Sequence, residues 1–281
     1  MAIPQRSYGQ EGQKLSVVGM GGIVVMNEEQ EFANRIVAEA VERGVNYFDV
    51  APSYGDAEVK LGPALKPYRN DVFLACKTTQ RTAEGARQEF EQSCERLQTD
   101  HFDLYQLHGL TDMEKDVEAA FAPGGAMEFY KQMKKEGRVR HLGFSAHSMD
   151  CATAAMDWYD FDSVLFPVNY FAWQHKDRDR KIMEHAEKKG VSRLALKAMA
   201  LRKWEENDLR REDFKKTWYE PITDRHLADL ALRWTLQQNI TAALPPGMAE
   251  QFRWAMETAE HLTELSQEEE RELAAKLVEI R

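Results

Sequence analysis

Three successive apolar runs of this chain end on ionisable residues: 45–49 on Asp49, 71–77 on Lys77 and 102–108 on His108. Tyr54 follows five residues after Asp49. A buried parallel strand usually reads as a continuous hydrophobic run, so three in a row closed by Asp, Lys and His point to side chains converging on one rim. Singly, each has a bland explanation: a strand-end cap, a snorkelling lysine, a satisfied histidine. Together they form a set with a chemistry. A tyrosine hydroxyl, with a reference pKa of about 10, is a poor acid at neutral pH. A lysine ammonium beside it favours the phenolate and is expected to lower that pKa, while a carboxylate keeps the lysine charged and oriented. Tyr54 can then deliver a proton to an oxygen that gains negative charge, and His108 can orient and polarise the same oxygen. This is the equipment for reducing a carbonyl group to an alcohol. The hydride has to come from a nicotinamide cofactor, because no side chain supplies one.

Such a set requires neighbouring strand ends. Residues 3–17 read as a hairpin around the turn-forming tetrad 9–12, and a first strand over 15–20 closes at Gly21 and Gly22. Strands at 45–49, 71–77, 102–108, 139–144, 163–167, 191–196 and 241–244 then alternate with helical patterns. The first helix is capped by Asn27 and runs to Arg43 before Gly44. The others cover 57–65, 82–97, 126–136, 150–158, 181–189, 224–238 and 250–262. Eight strands in strict alternation over 281 residues predict an α/β chain folded as one (β/α)8 TIM barrel domain over 1–281. Ser266, with Glu269 three residues on, forms a capping box that opens an extra C-terminal helix to Ile280. In this barrel the C-terminal strand ends and their loops build the active site, with neighbouring strands about 5 Å apart. The charged stretch 202–219, holding Trp204, Phe214 and Trp218, follows the seventh strand and is expected as a loop or small helix over the mouth.

A net charge of -10 argues against nucleic acid as the main partner. The three cysteines show no CxxC spacing, which fits neither a disulfide framework nor a cysteine metal site. No second histidine stands at a usable ligand spacing to His108, so no metal is expected. The N-terminus has no apolar signal core and no run approaches a membrane span, so a cytoplasmic protein acting on a small molecule, away from membranes, is expected.

The motifs Asn46-Tyr47-Phe48-Asp49, Tyr54-Gly55 with Glu58 and Leu61-Gly62, and Lys77 at its strand end begin a longer pattern. It continues through Asp103-Leu104-Tyr105-Gln106-Leu107-His108, through Gly137 to Ser145, and through Ala231-Leu232-Arg233-Trp234. In this order and spacing the chain resembles the aldo-keto reductases over almost its whole length. The resemblance implies Tyr54 as proton donor, Lys77 and Asp49 as its tuning pair, and His108 as carbonyl orienter. On the cofactor side it implies Ser145 near the nicotinamide amide, with Ala146 where the family has Asn. Leu165 stands where the family has Gln, and Asn169 is a nearby substitute. Lys197 takes the strand-end position where an aromatic ring usually stacks on the nicotinamide. Leu244-Pro245-Pro246-Gly247 match the phosphate loop, with Arg253 placed for the 2′-phosphate and Glu257 near the adenine.

The amides of Gly247 and Met248 open a helix and can bind phosphate, and Gly22 lets a ligand approach the backbone closely. NADPH is the favoured cofactor, NADH the second choice. Trp173 and Trp204 join Tyr54 and His108 as candidate substrate contacts. The altered positions Ala146, Leu165 and Lys197 also motivate an alternative, a cofactor-binding regulatory protein without turnover on the same scaffold.

Overall fold

Parallel strands that are apolar on both faces need side chains packed inside the barrel and helices outside it. The chain supplies a separate apolar set for each layer. A computed structural model describes residues 2–9, 12–174 and 177–279. An antiparallel hairpin of β1 (Gln5–Tyr8) and β2 (Gln13–Ser16) comes first, with Arg6 opposite Leu15. Seven strands follow in one sheet: β3 (Met20–Gly21), β4 (Tyr47–Asp49), β5 (Phe73–Thr78), β6 (Phe102–Leu110), β7 (Val139–Ala146), β8 (Ser163–Pro167) and β9 (Ser192–Leu196). Outside it, β10 (Ala200–Arg202) pairs with β11 (Glu220–Pro221). The eighth barrel strand, β12 (Ala242–Leu244), pairs parallel with β9. A bridge from Val18 to Ala243 closes the ring, through hydrogen bonds from the Gly19 amide to the Ala243 carbonyl (3.0 Å) and from the Ala243 amide to the Val17 carbonyl (2.9 Å). The fold is the expected (β/α)8 barrel.

Some boundaries differ from the sequence expectation. The run 15–20 is split, with Leu15 and Ser16 in the hairpin and only Met20 and Gly21 in the barrel. The first long helix is Gln30–Glu42; Asn27 precedes it in a left-handed turn (φ 58°) rather than capping it. The amide of Asn27 instead donates to Asp56 (2.7 Å), fastening the loop after β3 to the loop after β4. The capping box at Ser266 and Glu269 is formed in both directions (2.7 and 3.3 Å), opening the helix Gln267–Glu279. Gln10, Glu11 and Ile280, which the sequence places in the hairpin turn and the last helix, lie outside the described residues.

Inside the barrel, Tyr47, Phe73, Ala75, Leu104, Leu165, Leu194, Ala242 and Leu244 form one buried cluster, which the hairpin completes with Tyr8 and Leu15. The alternate strand positions, such as Phe48, Leu74, Cys76 and Tyr105, join the helices in the outer core, as the two-residue strand period requires. The hairpin is bolted across the floor. The Tyr8 hydroxyl lies 2.9 Å from the Ser163 hydroxyl, the Gly9 amide donates to Ser192 (2.8 Å), and Arg6 donates to the carbonyls of Ile240 (2.8 Å) and Leu236 (2.6 Å). With the floor filled, the open end of the barrel is its C-terminal rim. Among the described residues, no helix is long and apolar enough to cross a membrane.

Candidate active site

Strand register explains how the polar residues meet. Asp49 on β4 pairs with Ala75 on β5, and Lys77, two residues further along the same face, pairs with Gln106 on β6. The small Ala75 leaves room above itself, and Lys77 turns back into it as an ion-pair partner of Asp49. Both side chains are buried, at 1% and 2% exposure, so their charges depend on one another. The other Asp49 oxygen accepts from the Gln106 amide (2.9 Å) and from the Tyr47 hydroxyl (3.2 Å), which fixes the carboxylate in place.

Tyr54 reaches the same point from the loop after β4. Its amide bonds to the Ala51 carbonyl and its carbonyl accepts from Ala57 (3.0 Å each), forming a tight connection into the helix Ala57–Leu65. Gly55, at φ 56°, supplies the left-handed step in that turn. The Lys77 ammonium lies 5.3 Å from the centre of the Tyr54 ring, and the His108 ring stands edge-on to it at 5.8 Å. Burial pushes the Tyr54 hydroxyl above its ordinary pKa, and Lys77 only partly offsets this. The expectation that Lys77 brings Tyr54 below its ordinary value is therefore corrected: desolvation outweighs the lysine, and the Tyr54 hydroxyl stays protonated at neutral pH. Burial lowers the pKa of Lys77, but Asp49 and Tyr54 more than compensate, and it stays cationic.

Burial, with Lys77 and Arg81 adding to it, pushes His108 down to about 3, and burial together with Lys197 and Arg178 pushes His147 down to about 4. Both are neutral at physiological pH. Their folded values lie below the ordinary 6.5, so the unfolded chain binds more protons in acid. The resulting stability is complete above 6.5 and is lost as pH falls through the window down to these folded values. Urea midpoints should therefore drop between neutral pH and about pH 4.5, and His147→Asn should shrink that drop. An unchanged drop in the variant would mean that His147 is not buried in its neutral form.

Asp49, Tyr54, Lys77, His108 and His147 line a cavity of about 500 Å³, together with Gly21, Ser145, Leu165, Leu196, Lys197, Lys216, Trp218, Tyr219 and Gly247. The other sequence candidates fall in different places. Gly22 packs on Val50, where a Cβ would come within 2.7 Å of that side chain. Asn169 caps the turn Tyr170–Trp173 through the Ala172 amide and donates to the carbonyls of Lys197 (3.0 Å) and Ala200 (2.6 Å), so its amide holds the loop after β9. Arg253 is held by Glu39 (2.8 Å) and Glu257 by Arg225 (2.8 Å), both outside the cavity. Trp173 packs edge-on against Trp234, their ring centres 5.8 Å apart. Trp204 donates to the Thr217 carbonyl (3.4 Å) and lines a neighbouring cavity. Sequence reasoning left out Tyr219 and Lys216. They sit on the segment 202–219, which connects β10 to β11 and carries the turn Leu209–Phe214. Lys216 anchors that segment across the rim, donating to the Val24 carbonyl (2.9 Å) and to Glu28 (2.6 Å).

A nicotinamide cofactor fits this donor set. The Ser145 hydroxyl accepts from the Gly109 amide (2.8 Å) and so keeps its own proton to donate. Leu165, Leu196 and the Tyr219 ring supply apolar surface on the same wall. The helix Ala249–Glu260 opens without a side-chain cap, leaving first-turn amides next to Gly247 for a phosphate.

Residues 18–277 match the family model described as the aldo/keto reductase family. An uncharacterized oxidoreductase of Bacillus subtilis, YqkF, is 32% identical over 156 residues, covering 50% of this chain and 48% of its own length. L-galactose dehydrogenase of Arabidopsis thaliana is 27% identical over 216 residues, covering 71% of this chain and 66% of its own. The matches thus span about half and just under two thirds of these relatives. Among solved structures, the holo form of an aldo-keto reductase from Bacillus halodurans superposes with a TM-score of 0.72 at 25% identity, over 98% of this chain and 96% of that one.

Proposed function

The chain belongs to the aldo/keto reductase family, and from that premise we propose that it reduces an aldehyde or ketone to an alcohol, with Tyr54 as proton donor and NADPH as the cofactor. The observation that carries this reading is the buried Lys77–Asp49 pair set beneath Tyr54, with a neutral His108 beside it. A bound nicotinamide supplies the hydride. The protein's own work is done on the carbonyl oxygen. Tyr54 holds the proton until that oxygen gains charge and then gives it up. The phenolate left behind is stabilised by the Lys77 cation, whose position Asp49 fixes. In the neutral tautomer of His108 that carries its proton on Nε2, Nδ1 accepts from the Ser53 hydroxyl (3.5 Å) and Nε2 donates to the substrate oxygen. Ser145, Lys197 and Tyr219 would flank the nicotinamide, and Gly247 and Met248 would meet the phosphates. A sugar or other polar carbonyl would find hydrogen-bonding groups in Ser53, His108 and His147 on an otherwise largely apolar lining.

NADPH is favoured over NADH through Arg253, which stands on the helix Ala249–Glu260 just after Gly247 and would turn from Glu39 (2.8 Å) to meet a 2′-phosphate. Arg253→Ala should raise the KM for NADPH by about tenfold while moving that for NADH far less, the difference expected of a charge-assisted contact to one phosphate. Equal changes for both cofactors would remove Arg253 from 2′-phosphate recognition. The reductase reading itself is tested by following NADPH oxidation with a panel of aldehydes. Tight cofactor binding without oxidation across the panel would favour the regulatory alternative.

A further inference from the structure

The imidazole of His108 has little of its own to hold it. Among the described residues its one side-chain hydrogen-bond partner is Ser53, at 3.5 Å, the outer limit of such a contact. The direction of the ring is therefore set by its backbone. The strand leaves regular pairing at this point. The β6–β7 register shifts between Leu107 and Leu110, and Gly109 takes a left-handed step at φ 70°. The peptide unit joining His108 to Gly109 is nonetheless fixed at both polar ends. The Gly109 amide donates to the Ser145 hydroxyl (2.8 Å), and the His108 carbonyl accepts from the Arg81 guanidinium (2.7 Å).

Arg81 comes from the loop after β5, with its side chain only 12% exposed, and its planar fork joins three elements. Besides His108 on β6, it donates to the Thr78 carbonyl at the end of β5 (3.3 Å) and pairs with Asp116 in the loop after β6 (3.1 Å). A lysine, with a compact point charge, does not reproduce that fork. Asp116 stands on the π-helical turn Met113–Glu118, a rare geometry found mostly as single turns, often at functional sites. The turn brings its second oxygen back onto the amides of Thr111 (2.8 Å) and Asp112 (3.0 Å) and the Thr111 hydroxyl (3.1 Å). Burial raises the pKa of the Asp116 carboxyl, but the two amides and Arg81 outweigh it and hold the group below its ordinary value. Asp116 is thus a fixed anion, and Arg81 ties it to the backbone of His108. The Arg81 charge also adds to burial and Lys77 in keeping the His108 ring neutral.

We propose that Arg81, anchored by Asp116, is a positioning residue for the reduction: it fixes the peptide after His108 and so aims the imidazole at the carbonyl oxygen. This rests on the reductase reading of the cavity. Arg81 is not among the residues that line the cavity, so it acts on the substrate only through His108.

The test is a double-variant cycle on NADPH-dependent reduction of 4-methylbenzaldehyde. His108→Ala should cost about 10²- to 10³-fold in kcat/KM, the scale of one lost donor to a developing oxyanion. Arg81→Met should cost about 10- to 100-fold, mainly in kcat, with the Kd for NADPH within about threefold. Placed on His108→Ala, Arg81→Met should cost less than about twofold more, because the ring it aims is gone. Arg81→Lys keeps the charge without the fork and should recover little of the loss. Asp116→Asn should cost about three- to tenfold, the scale of one hydrogen bond, and carries the same cycle if Arg81→Met does not fold. Losses that simply add in the double variant overturn the proposal. So does wild-type turnover in Arg81→Lys, which would leave only a charge effect, and so does a main effect on NADPH binding, which would route the clamp through Ser145. Each of these outcomes leaves the reductase reading standing. If the wild type reduces no aldehyde, the reductase reading falls instead, and the ring itself decides the positioning. The His108 imidazole NMR signals, assigned by their loss in His108→Ala, should move in both Arg81→Met and Asp116→Asn. Signals that stay in place refute the clamp.

Discussion

Tyr54→Phe should lower kcat for aldehyde reduction by about 10²- to 10⁴-fold, the range that a positioned general acid contributes, with the dissociation constant for NADPH almost unchanged. The substitution removes one oxygen from a ring held by its own turn and flanked by His108 and Trp218, so the ring stays where it is. Steady-state kinetics and a cofactor titration by fluorescence separate the two effects. Wild-type turnover in the variant would show that the proton comes from elsewhere, His108 being the next group at hand. A parallel loss of cofactor affinity would mean that the ring supports the cavity and is not primarily an acid.

The second large effect concerns the ion pair beneath that ring. Asp49→Asn leaves a buried ammonium, and Lys77→Met leaves a buried carboxylate with only Gln106 and Tyr47 to satisfy it. Each single change should cost about 3–5 kcal/mol of stability, because an unpaired charge then remains where water cannot reach it. The double variant Asp49→Asn, Lys77→Met removes both charges and should recover most of that loss. On the proposed mechanism it should not recover turnover, because the cation that would stabilise the Tyr54 phenolate is gone. Urea unfolding of the four proteins measures the first effect and aldehyde reduction the second. Single variants that unfold at the wild-type midpoint would show that the pair is hydrated and contributes little.

Asp49, Lys77 and His108 were legible in the sequence because a buried parallel strand leaves almost no reason for a charge at its end. The barrel's register then brings such ends together without further information. Glu269 was legible for a similar local reason, since a capping box is a fixed spacing. Other features have no local signature. Whether Leu15 belongs to the barrel or to the hairpin under it depends on what it pairs with, and an apolar residue is required in either place. Asn169 reads as a polar side chain near a strand end, but its amide is committed to three backbone groups whose proximity only the folded loop creates. Tyr219 and Lys216 belong to a segment without hydrophobic periodicity, and they reach the rim because β10 and β11 pair across the 17 intervening positions between Arg202 and Glu220. The sign of the Tyr54 shift is also a three-dimensional quantity. The sequence shows the lysine, but not how much water the ring loses.

The hairpin under the barrel has a consequence for how the chain is made. Arg6 finds its partners at Leu236 and Ile240, and Val18 is bridged by Ala243, more than two hundred residues later. During synthesis the hairpin, made before any barrel strand, therefore waits for the last of them. Until then Tyr8 and Leu15 lack part of their cover, and the edge at Val17–Gly19 offers unpaired backbone groups. Contacts of such long sequence separation form slowly, and open sheet edges invite pairing between chains. The ring is thus most vulnerable to aggregation just before completion, when Asp49, Tyr54, Lys77 and His108 have been synthesised but the barrel that aligns them is still one strand short.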